Sequence, residues 1–146
     1  MFRYFASREE MLDTVIAELR RRTPTPPNPQ TIAELLAFPK AIFTGFEETS
    51  ALTQATLQSE LYTRIMGSAG DGRPQAIRDI IDREAPDRPE RERRLVAADI
   101  QHHVVASTWR YYRVHFGFSL RDSVECARLA IERALVGLGI DVSTAK

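Results

Sequence analysis

Cysteine is nearly missing from this sequence: Cys126 stands alone among 146 residues. One thiol closes no intrachain disulfide, which removes disulfide scaffolds and fits a reducing cytoplasm, where the protein is expected. Net charge is missing too, with 20 Lys and Arg against 20 Asp and Glu. A domain that grips nucleic acid by itself usually carries a positive excess on one face. Lysine is scarce, Lys40 and Lys146 being the two present, a skew that a G+C-rich coding sequence produces without functional cause. The Arg-rich stretch 73–94 is interleaved with Asp and Glu and reads as a solvated helical surface. No apolar run is long enough to span a membrane, and Arg3, Arg8, Glu9 and Glu10 interrupt what a secretory leader would need.

Chemistry-bearing patterns are equally sparse. There is no phosphate loop, dinucleotide fingerprint or serine elbow. His102 and His103 are neighbours, so on a helix they point about 100° apart, poor geometry for one metal. Asp99 lies three and four residues before them but adds only weak pairs, and His115 is remote. Cys126 has no histidine beside it and sits among Val124, Ala127 and Leu129, as a packed thiol does. Asp79 with Asp82, and Glu90 with Glu92, fall in charge-balanced surface. The expectation is therefore no metal, no cofactor and no enzyme.

What the sequence does hold is helical periodicity. Ser7 and Glu10 make a capping box before Met11, Leu12, Val15, Ile16 and Leu19, and prolines 24, 26, 27 and 29 end that helix near Arg22. Ile32, Leu35, Leu36, Phe38, Ile42, Phe43 and Phe46 mark a second helix, which Pro39 should kink. Leu52, Leu57, Leu61, Ile65 and Met66 mark a third, from about Ser50 to the glycines 67, 70 and 72. Ile77, Ile80 and Ile81 mark a short fourth, from Pro74 to before Pro86.

A long fifth helix is predicted from about Pro89 to Phe116. It carries one stripe of Leu95, Ala98, His102, Val105, Trp109, Tyr112 and Phe116, and a second of Ile100, Val104, Tyr111 and Val114. Two stripes imply cover from two directions. The cluster Trp109, Tyr111 and Tyr112, flanked by Arg110 and Arg113, could stack bases, line a cavity or fill core; the stripes favour core or cavity. Ser119 caps a last helix, where Leu120, Val124, Ala127, Ile131, Ala134 and Leu138 form a heptad-type seam beside the small Ser123, Ala130 and Gly137. No convincing strands or repeats appear. These patterns predict an all-α bundle of about six helices.

Two segments resemble TetR-like transcriptional regulators. Met1 to Leu12 (Met-Phe-Arg-Tyr-Phe-Ala-Ser-Arg-Glu-Glu-Met-Leu) looks like that family's junction between recognition helix and fourth helix. Trp109 to Leu120 (Trp-Arg-Tyr-Tyr-Arg-Val-His-Phe-Gly-Phe-Ser-Leu) looks like its passage from eighth to ninth helix. The resemblance implies residues 1–6 as a recognition-helix remnant and 7–146 as an effector-binding and dimerisation domain. Most of the family's helix-turn-helix has no counterpart here, so DNA binding is expected only of a protein that includes it. By the same resemblance Arg3, Tyr4, Ser7 and Arg8 match positions near DNA. Stripes and resemblance together select Phe43, Phe46, Leu61, Ile65, His103 and Trp109 as the border of a cavity for a small apolar effector. They select Leu120, Val124, Ala127, Ile131 and Ala134, with part of the long helix, as a homodimer seam. The rivals are a helical homodimeric interaction module without ligand, which a fully packed centre would favour, and a small helical enzyme, for which no catalytic constellation is present.

Overall fold

Two capping boxes set the entry of the chain into its body. Ser7 Oγ accepts from Glu10 N at 3.1 Å, while Ala6 N donates back to the Glu10 carboxylate. Thr31 and Glu34 repeat the device: Glu34 N donates to Thr31 Oγ1, and Gln30 N to the Glu34 carboxylate. The first cap opens α1 (Arg8–Arg22), the second α2 (Ile32–Glu48), and the proline-rich connector runs between them. The computed structural model describes residues 4–23, 25–67 and 72–145, and these are helical without strands. None of its helices is long and apolar enough to cross a membrane.

The remaining elements are α3 (Ser50–Leu57), α4 (Leu61–Gly67), α5 (Arg73–Glu84), α6 (Glu90–His102), α7 (Ala106–Arg110) and α8 (Leu120–Gly137). A π-helical turn, Tyr111–His115, continues α7, and a 3₁₀ turn, Ser143–Ala145, follows α8. Helix α2 is the hub. Its Leu35, Ile42 and Phe43 are buried in one cluster with Ile77, Ile80 and Ile81 of α5, Ile100 of α6, Trp109 of α7 and Ile131 and Leu135 of α8. Pro39 lies inside α2, buried, and the helix continues through it.

The structure has more and shorter helices than the expected six. The third helix is two, because Ser59 intervenes: its hydroxyl donates to Thr56 O and accepts from Leu61 N, taking over backbone partners that a continuous helix would use. The long fifth helix is also interrupted. Thr108 Oγ1 takes the carbonyl of His102, Val105 is extended, and the break lets both Val104 and Val105 go under the surface. Consequently neither predicted stripe is continuously buried; Leu95, Tyr111, Val114 and Phe116 are each about half exposed.

The seam assigned to a partner chain must also be corrected. Ala127 and Ile131 are 0% exposed within the single chain, and Leu120, Val124 and Ala134 pack against the same core. This face of α8 is covered by α2 and α6. A heptad says that a helix has a covered face; it does not say which chain supplies the cover. The outer side of α8 is laced instead by Arg128, which pairs with Glu125 at 2.9 Å and Glu132 at 2.6 Å.

Candidate functional site

Helix α1 buries only Leu12 and Ile16, too little to seal it to the body along its length. Surface charge orients it as well: Arg64 of α4 pairs with Glu9 and with Asp13 (2.8 Å), and Glu60, just before α4, pairs with Arg8 at 2.6 Å. Beyond these pairs the end of α1 and the connector lean over the body without filling the space beneath. A cavity of about 600 Å³ is left there.

Its wall draws on most of the elements. Leu19 of α1, Phe46 of α2, Leu57 of α3, Ile65 and Met66 of α4, and Val105 make the apolar part. Thr53, Thr56, Tyr62 and Gln101 add neutral polar groups, Pro26, Pro27 and Asn28 come from the connector, and Arg20 and Arg73 bring charge. An apolar wall with a few convergent polar groups is the usual make-up of a small-molecule site. Among the described lining residues there is no Asp or Glu. Gln101 Oε1 is buried without a hydrogen-bond partner among the described residues. An unmet buried acceptor costs about 1–3 kcal/mol, which a donor on a bound molecule would recover.

Arg73 occupies the first turn of α5 and is 6% exposed, its guanidinium carbon 5.4 Å from the centre of the Phe38 ring. Gly72 precedes it at φ 66°, the left-handed region, so a side chain there would strain the turn that delivers Arg73 to the wall. A second hollow, of about 470 Å³, lies beside the first and shares Leu57 and Tyr62 with it. Tyr62 is pinned by a 3.0 Å hydrogen bond to Ser107, which lines the second hollow with Arg110, Tyr111, Val114 and His115.

Of the residues expected to border an effector cavity, Phe46 and Ile65 line this space. The other four do not. Phe43 and Trp109 stand behind Phe46, with ring centroids 6.3 and 6.0 Å from it, and are sealed in the core. Leu61, at the start of α4, is partly buried away from the space. His103 faces Asp99 at 3.6 Å and the Tyr112 hydroxyl at 3.5 Å; burial pushes its pKa below the ordinary histidine value. The cavity thus lies one layer further out than expected, under α1 and the connector. The sequence does hold a signal for it: Thr53, Thr56 and Tyr62 put hydroxyls along an otherwise apolar pattern.

Of the residues that the resemblance sets near DNA, Arg3 lies outside the described residues. Tyr4 is 95% exposed, Ser7 caps α1 and Arg8 is engaged by Glu60. Among the described residues no group of three or more His, Cys, Asp or Glu gathers as a metal would require. No protein-family model, curated protein or solved structure matches the chain.

Proposed function

We propose that the chain is the ligand-sensing domain of a TetR-like transcriptional regulator, with its effector in the cavity beneath α1. The observation that carries this reading is the position of that cavity. Its roof is α1, which buries only Leu12 and Ile16 and is oriented by surface ion pairs, and α4, which supplies the partner of those pairs, is also part of its wall. A guest that fits between Leu19 on one side and Phe46, Ile65 and Val105 on the other changes the separation of α1 from the core. In an intact regulator α1 would follow the DNA-reading helix, so that change would reach the DNA. A homodimer belongs to the same reading. The exposed Tyr111, Val114, Phe116 and Val136 are the apolar area that it would cover.

The test uses phenylnaphthylamine, a neutral fluorophore that brightens in apolar surroundings. It should bind saturably, and the melting temperature should climb with the logarithm of its concentration, since only the folded state holds it. Ile65→Trp fills the space and should abolish both effects while leaving the circular dichroism unchanged. Equal binding by the folded Ile65→Trp variant would show that the cavity is not the site.

A further inference from the structure

We propose that the second hollow is a binding site of its own, for an aromatic carboxylate whose acid group pairs with Arg110 and whose ring lies against Tyr111 and Val114. The site is separate from the cavity beneath α1 and does not depend on a guest there. Its wall, around a space of about 470 Å³, is mostly one strip of chain: Ser107 and Arg110 from α7, then Tyr111, Val114 and His115 from the π-helical turn. Their spacing alternates three and one, which sets them on one side of the strip. Trp109 and Tyr112, on the other side, belong to the core. Single π turns recur at functional sites.

Arg110 sets this hollow apart. Arg91, Arg94, Arg121 and Arg133 also make no ion pair among the described residues, but they are exposed and solvent hydrates them. Arg110 is half-buried, likewise has no ion pair among the described residues, and keeps its Nε buried without a hydrogen-bond partner. A guanidinium so placed is costly, and an anion in the hollow would offset that cost. The planar fork of arginine matches a carboxylate in two parallel hydrogen bonds. Nearby, the Tyr62 hydroxyl donates to Ser107 Oγ at 3.0 Å, so one hydroxyl hydrogen of that pair remains for an oxyanion to accept. The rest of the wall suits a ring. Tyr111 and His115 stack with 4.8 Å between centroids and 7° between planes, which gives the half-exposed phenol a fixed surface. Aromatic pairs gain beyond the area they bury, so a ring is favoured there over an aliphatic chain of equal area. Leu57 and Val114 add aliphatic contact.

The experiment titrates the protein with 2-naphthoate and, separately, with 2-naphthamide, which keeps the ring and lacks the charge. Calorimetry should show the acid binding about tenfold more tightly than the amide, as one charge-assisted hydrogen bond provides. Added salt should narrow the gap. Arg110→Gln should remove it, and Arg110→Lys, which keeps the charge without the fork, should retain part, with circular dichroism checking that both variants fold. Methyl-labelled wild type then locates the acid without any variant. The NMR signals of Val114 should shift on titration, while those of Ile65, in the wall of the first cavity, should stay. Shifts at Ile65 as large as those at Val114 would put the acid in the first cavity and overturn the proposal. So would equal binding of acid and amide, or no binding of the acid, the result expected if a partner copy covering Tyr111 and Val114 fills the hollow instead. The ligand-sensing reading stands or falls separately, on phenylnaphthylamine and Ile65→Trp.

Discussion

Glu47, in the last turn of α2, ties three parts of the molecule together. Its carboxylate accepts from Trp109 Nε1 at 3.0 Å and from the Arg113 guanidinium, whose other nitrogen donates to Phe118 O. The hydrogen bond from Arg113 holds the Glu47 carboxyl below the usual carboxylate range, although burial works against it. A carboxyl depressed in the folded state adds stability above its unfolded pKa and loses it as pH falls through the folded one. Glu47→Gln should therefore cost about 2 kcal/mol at neutral pH, the scale of a buried charged hydrogen bond left half made. That deficit should shrink on acidification, since the wild type then loses the same contribution. Urea unfolding at neutral and acidic pH measures it, and a deficit independent of pH would refute the assignment. Trp109 also marks a limit of sequence reading. Its place on an apolar stripe says that it is covered, but core and cavity wall share the same periodicity. Gln101 stands outside every stripe, and only the fold brings it to the wall.

At the scale of elements, α1 is the piece whose attachment differs from the rest. Its ion partners are largely exposed: Glu9 and Asp13 are each 68% accessible. Such pairs contribute about 0–1 kcal/mol each, so they orient the helix more than they stabilise the protein. Arg64→Ala should leave the global unfolding midpoint nearly unchanged. Amide exchange within α1 should speed up, while α2 and α8 keep their protection. Exchange followed by mass spectrometry decides this; uniform acceleration across all helices would mean that α4 supports the core itself. The start of α1 was legible in Ser7 and Glu10, since a capping box needs only local partners. The breaks at Gln58–Glu60 and at His103–Val105 were not, because the hydroxyls of Ser59 and Thr108 act there on single backbone groups that an averaged apolar pattern conceals.

For the molecule as a whole, the all-helical class could be read from the chain, and the partition of its covered faces could not. Seven-residue spacing in α8 predicts burial equally well by another chain or by α2. The closed core around Ile131 answers that question for this face. Ile131→Ala should lower unfolding free energy by about 2–5 kcal/mol, as truncations in packed cores do, and leave the sedimentation coefficient of the folded protein unchanged. Dissociation of an oligomer without that loss would return Ile131 to an interface.

The partition between the two hollows has a consequence for the length of guest that the protein can admit. Where they adjoin they share Leu57 and Tyr62, and the phenol is fastened to Ser107 by a single hydrogen bond. Such a bond contributes about 0.5–1.5 kcal/mol net, less than a few buried methylenes return. Under the proposed ligand-sensing reading Tyr62 would act as a hinged door: a chain too long for the first room would push the ring aside and extend toward Tyr111 and His115, so the volume of either hollow would set no upper bound on what fits.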